Sequence, residues 1–193
     1  MATIYINMCL LNYNMHFDFA VYQFQQRVRR NISRSLLKVY LSYWQQQYPQ
    51  TLLLAWGSNG KPYFTNARLG FSYSHCKNKL LIAYGHHIHI GVDLIHRQKK
   101  HHGCYGQIDL AKPAGLMRFC IYEAYGKLTG QGFNAFVHLD QWALTDEYLE
   151  GKVLNKRRHT FFWNNAYITT SVNHDYFACI AYAPMGNTNM AYS

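Results

Sequence analysis

Acidic residues are scarce in this chain: nine Asp and Glu stand against nineteen Lys and Arg among 193 residues, a formal net charge of +10. That balance calls for an acidic partner, which can be nucleic acid, an anionic membrane, a polyphosphate ligand or an acidic protein. No CxxC pair occurs, and the five cysteines, Cys9, Cys76, Cys104, Cys120 and Cys179, are odd in number and far apart. Neither a disulfide framework nor a cysteine zinc site is indicated, and a reducing cytoplasm fits best. No run approaches the roughly 18 apolar residues of a membrane-spanning helix. The first residues lack a basic region and a small-residue cleavage site, and they carry Asn7, Asn12, Asn14, His16 and Asp18, so no secretory leader is expected.

About half of the residues are apolar, enough for a substantial core in one domain or two small halves. Residues 19–48 contain no Gly and no Pro. Val28, Ile32, Leu36, Leu37, Tyr40 and Leu41 fall there at helical spacing, with Arg27, Arg29, Arg30, Arg34 and Lys38 opposite. One basic amphipathic helix is expected, ending at the step from Tyr48 to Pro49. Gly57-Ser58-Asn59-Gly60 reads as a loop, and residues 70–75, 79–84 and 89–94 as strands. A polar, basic loop over 97–106 makes a natural seam. Helical spacing returns over 114–128, and strands are expected at 135–139, 160–163, 167–172 and 176–183. Helix followed by strands thus occurs twice, which predicts an α+β chain of two similar halves, 1–96 and 97–193, each a helix on a small antiparallel sheet.

Several segments carry chemistry. Glu123 and Lys127 in Glu123-Ala124-Tyr125-Gly126-Lys127-Leu128-Thr129-Gly130-Gln131-Gly132 lie one helical turn apart, so both can face one phosphate; the plainer reading is an exposed ion pair. Asp93 in Gly91-Val92-Asp93 is a second acid, or else a strand-end residue capping a turn. Ser74 and His75, in Phe71-Ser72-Tyr73-Ser74-His75, can donate to a phosphate or simply end a strand. Lys61 in Gly60-Lys61-Pro62 offers a compact positive charge, or is a solvated loop lysine. Arg29 and Arg34 are further phosphate candidates, or belong to a solvated helix face.

In this order, from about 34 to 132, these segments resemble the 4'-phosphopantetheinyl transferase family, of the surfactin-synthetase-activating type. The resemblance implies that family's fold with an active site at the seam. It also implies transfer of the 4'-phosphopantetheine arm of coenzyme A to a serine of an acidic acyl or peptidyl carrier protein, releasing 3',5'-ADP. By the same resemblance, Asp93 and Glu123 bind Mg²⁺, with Mn²⁺ as an alternative, and Glu123 and Lys127 are catalytic. Arg29, Arg34, Lys61, Ser74, His75 and Lys127 then bind coenzyme A. Five positions depart from the family's usual residues: Ser72 stands for Asn, Cys76 for Ser, Ile95 for a third acid, Phe119 for Trp and Tyr122 for Lys. A protein that keeps coenzyme A or carrier recognition without turnover would explain Tyr122 and Ile95.

Two rival readings carry less. His86, His87, His89, His101 and His102 are dense, but no second spaced pair completes the four ligands of structural zinc. Basic charge among aromatic strands also suits a nucleic-acid module, yet no reader motif is present. The expectation is a monomer that binds neither nucleic acid nor membrane.

Overall fold

The aromatic and β-branched stretches form long antiparallel strands in the computed structural model, which describes residues 4–11, 15–23, 42, 45–46, 52–57, 60–76, 79–97, 104–105, 108–132 and 144–185. Strands β1 (Ile4–Leu11), β2 (Met15–Gln23), β5 (Leu69–Cys76) and β6 (Lys79–His86) make one four-stranded sheet in the order β1-β2-β6-β5. Strands β7 (Ile88–His96), β10 (Arg158–Trp163), β11 (Ala166–Val172) and β12 (Tyr176–Pro184) make another, in the order β10-β11-β12-β7. Two short hairpins complete the strands: β3 (Leu54–Trp56) with β4 (Pro62–Phe64), and β8 (Cys104–Tyr105) with β9 (Ile108–Asp109). Helix α1 runs over Pro113–Thr129, and a shorter helix, α2 (Asp146–Tyr148), continues into wider π-type turns over Leu149–Leu154. The chain is thus mixed helix and sheet, mostly sheet, within the expected α+β class. Among the described residues no helix is long and apolar enough to cross a membrane.

Period-two alternation sorts β7 and β12 into two faces. Ile88, Ile90, Val92 and Leu94 pack with Ala178, Ile180 and Tyr182 against Leu81 and Ala83 of β6. Ile95, Phe177, Cys179 and Ala181 pack on the other side against α1. Strand β7 is therefore buried on both faces, and α1 covers the face that also carries Asp93. The closeness of this packing depends on Gly91: a Cβ there would collide with the backbone of Ala124 and Leu128. Further anchors fix α1. Tyr125 Oη donates to Asn164 O at 3.2 Å and accepts from Asn164 Nδ2 at 2.6 Å, while Arg118 Nε donates to Leu144 O at 2.8 Å. Asn164 and Asn165 both have positive φ, as a two-residue hairpin turn between β10 and β11 requires.

The two sheets meet along β5 and β7. A single residue, His87, with φ of 56°, turns the chain from β6 into β7. Ser72 Oγ of β5 then accepts from the Val92 N–H at 3.1 Å, on the edge of β7 opposite β12. Strand β7 comes from the first 96 residues yet hydrogen-bonds with β12, so a division at 96/97 does not coincide with a division between sheets.

Two elements differ from their sequence expectations. Strand β8 falls inside the stretch expected as a loop over 97–106. The helix expected over 19–48 does not include its first residues, because 19–23 belong to β2 and pair with β1 and β6. Phe17, Phe19 and Val21 stand at two-residue spacing, a strand signal masked by the uninterrupted run without Gly or Pro. Ser42, Gln45 and Gln46 are helical. The apolar positions from Val28 to Leu41, the seam residues 98–103 and the strand expected at 135–139 lie outside the described residues.

Candidate functional site

Asp93 lies inside β7, opposite Cys179 of β12, with only 7% of its surface exposed. It is not the strand-end cap that its neighbours in sequence allow, because the ladder continues to His96. A buried carboxylate must be paired or hydrogen-bonded, and here Oδ1 accepts two short bonds. One comes from Ser74 Oγ at 2.7 Å and one from Lys127 Nζ at 2.7 Å. Ser74 reaches it because β5 lies along β7, and Lys127 because Gly91 lets the last turns of α1 approach the strand.

Glu123, one turn before Lys127 on α1, is half-buried. Its Oε1 is a buried oxygen with no hydrogen-bond partner. Burial holds the carboxyl above its ordinary value, the Asp93 charge raises it further, and Lys127 pulls it back down. The lysine thus makes its ion pair across to the strand, and the exposed pair between Glu123 and Lys127 that spacing alone allows is not what forms. Cys120 and Cys179 pack in the core on the α1 side of the sheet, where burial first and the Asp93 charge second push both thiols well up. They are core residues of low reactivity.

Beside these groups lies a cavity of about 390 Å³, lined by Gly60, Lys61 and Pro62, by Phe71 to His75 of β5, and by Gly126, Lys127, Gly130 and Gly132 at the end of α1. Segments as far apart in the chain as Gly60 and Gly132 therefore share one wall. Gly126 and Gly132 are in close contact: a Cβ on Gly126 would meet the Gly132 carbonyl at 2.6 Å, so the chain beyond α1 folds back over its own last turn. Lys61 is not a solvated loop lysine. It is half-buried, donates from Nζ to Leu128 O at 2.9 Å, and burial lowers its pKa to about 7.

The expected site residues divide as follows. Asp93, Glu123, Lys127 and Ser74 form one polar cluster, and Lys61 and the exposed His75 line the cavity with Ser74 and Lys127. The Ser74 hydroxyl is engaged by Asp93, so its proton is directed at the carboxylate. Arg29 and Arg34 lie outside the described residues. Ile95 is buried in the core beneath α1, and Tyr122 stacks on Trp163 with ring centroids 5.7 Å apart, so neither position supplies charge. Of the histidine cluster, His86 and His87 are exposed, His89 is buried, and His101 and His102 lie outside the described residues. Among the described residues no three His, Cys, Asp or Glu side chains converge on one point.

Sequence reasoning missed the link from Ser74 to Asp93 and the use of the Leu128 carbonyl by Lys61. It also weighed His89 only as one of a dense set of histidines, although alternation along the expected strand puts it on the same face of β7 as Asp93. Comparison with protein-family models gives no match, and comparison with curated protein sequences gives none.

Proposed function

We propose that this chain is a 4'-phosphopantetheinyl transferase of two similar halves, acting in the cytoplasm on an acidic acyl or peptidyl carrier protein. One observation carries the reading. A buried carboxylate on a strand and a half-buried, unpartnered carboxylate on a helix feel each other's charge, with a lysine between them, beside a cavity lined by the motif segments.

A divalent ion fits these residues. Glu123 Oε1 lacks a partner, and the Asp93 charge opposes ionisation of Glu123; a dication offsets both costs. Asp93 and Glu123 would hold Mg²⁺, or Mn²⁺, and two carboxylates suffice because such sites are completed by water and substrate phosphates. When bound, the ion would neutralise charge at the pyrophosphate of coenzyme A.

The chain's own groups do the rest. Lys61 and His75 face the cavity that receives the nucleotide end, with Arg29 and Arg34 adding charge for the 3'-phosphate. Glu123 accepts the hydroxyl proton of the carrier serine as general base. The serine oxygen bonds to the β-phosphorus while the bond from phosphorus to the bridging oxygen breaks. That electron pair departs on 3',5'-ADP, and Lys127 neutralises or protonates the leaving oxygen. Ser74 serves by holding Asp93 in place. The net charge of +10 favours encounter with an acidic carrier.

The test is incubation with coenzyme A, Mg²⁺ and an apo carrier protein, followed by intact mass of the carrier. The parent chain adds the arm, and Glu123→Gln adds almost none. Equal modification by both refutes the role of Glu123; no modification by the parent, with saturable coenzyme A binding, marks a binding protein without turnover.

A further inference from the structure

A second cavity, of about 310 Å³, shares Lys61, Pro62 and Phe71 with the first and runs towards the start of β7. Its volume is at the lower end of the roughly 300 to 1,000 Å³ typical of small-molecule sites. Phe64 and Phe71, with ring centroids 5.1 Å apart, form an apolar wall together with Leu69 and Ile90, all four buried. The ionisable lining is one-sided. Lys61 and the buried His89 lie within, exposed Arg68 stands at the rim, Tyr63 adds a phenol, and among the described residues no carboxylate lines the cavity. Gly70, whose Cβ would collide with the Ile88 carbonyl, keeps β5 and β7 close enough to form the floor.

We propose that this second cavity binds a small amphiphilic anion, a carboxylate on a compact apolar body, with the charge towards Lys61, His89 and Arg68 and the body against Phe64 and Phe71. This site is separate from the carboxylate cluster of Asp93 and Glu123, and it does not depend on the transferase reading. The electrostatics agree with the geometry. Burial lowers the pKa of His89, and the Lys61 charge lowers it further, while burial puts Lys61 at about 7. A bound anion offsets both effects, so above pH 7 the anion should enter together with a proton. Among the described residues, the groups facing this charge are Lys61, Tyr63 and Arg68 around β4 and β5, and His89 on β7; Lys127 lies in the adjoining cavity.

The experiment is isothermal titration of the full chain at pH 8 with hexanoate, hexanamide and hexylammonium, each in two buffers of different ionisation enthalpy. Hexanoate should bind one to one, about tenfold or more tighter than either neutral or cationic analogue, with uptake on the order of one proton. Arg68→Gln, a rim change that should leave the thermal transition unmoved, and His89→Asn should each weaken hexanoate about fivefold or more. Glu123→Gln should bind it like the parent, so failure of carrier modification and failure of this proposal are read separately. Equal affinity for hexanoate and hexanamide, absence of saturation or of proton uptake, or binding that both Arg68→Gln and His89→Asn leave intact would overturn it.

Discussion

Replacing Glu123 by Gln should make the protein more stable at alkaline pH while abolishing the proposed chemistry. The argument starts from a half-buried carboxylate with one buried oxygen that has no hydrogen-bond partner. An unsatisfied buried acceptor costs about 1 to 3 kcal/mol, more when charged, but the half-exposure of this side chain and the nearby Lys127 reduce that here. A gain of about 1 kcal/mol in the variant is expected at pH 8, which for a chain of this size raises Tm by about 2 to 4 °C. The sign with pH follows from burial and Asp93 raising the carboxyl in the fold. Glu123 then favours the folded state most below its unfolded value of about 4.3, and that contribution is lost as pH rises through the higher folded value. Near pH 4 the side chain is mostly protonated in both states, so parent and variant should come close together. Urea unfolding at pH 4 and pH 8, with a chelator to keep divalent ions out, measures both differences. A variant less stable than the parent at pH 8, or a difference that does not change with pH, would refute the account of this carboxylate.

Other consequences can be measured on the same protein. Millimolar Mg²⁺ should raise the Tm of the parent and leave that of Glu123→Gln unmoved, the stabilisation reaching about 1.4 kcal/mol at ten times Kd. Gly91→Ala should cost about 2 to 3 kcal/mol in urea unfolding, because the added Cβ meets backbone of α1 that has no side-chain freedom with which to yield. Lys127→Met should cost about 2 to 3 kcal/mol at pH 7 in urea unfolding, less than for a wholly buried pair because Lys127 is one-third exposed. For Lys61, lowered in the fold to about 7, the unfolded chain binds the extra proton between pH 7 and about 10.4, so stability should rise with pH across that window. Lys61→Met should flatten that rise.

The sequence reveals the parts of the fold where one local signal acts alone. Strands β5, β6 and β7 lie within two residues of the ends expected for them because aromatic and β-branched runs are separated by short turns, and α1 lies close to 114–128 because apolar positions recur there at helical spacing. Where two signals overlapped, the wrong one won: β2 has strand alternation inside a stretch that also lacks helix breakers. Helix α2 and its π-type continuation went unnoticed because they are short, although Thr145 before Asp146 and Glu147 is a start signal, and its hydroxyl does accept from the Tyr148 N–H at 3.1 Å. The acids and lysines that the motifs single out lie near one another in the fold, but their pairing was not legible. Spacing on a helix says that Glu123 and Lys127 can meet; only the approach of β7 decides that Lys127 turns to Asp93 instead.

Lys61 ties these observations together. Its partner, Leu128 O, is a last-turn carbonyl of the helix that carries Glu123 and Lys127, where a cation is favoured by the helix dipole. A segment 67 residues away thus closes the end of α1, and the same ammonium lines both cavities. Burial opposes its charge while the carbonyl and any bound anion favour it. An anion in either cavity therefore strengthens the charge that holds the helix end, and a firmer helix end holds Lys127 on Asp93. By reciprocity, whatever orders that last turn must tighten anion binding by the same factor.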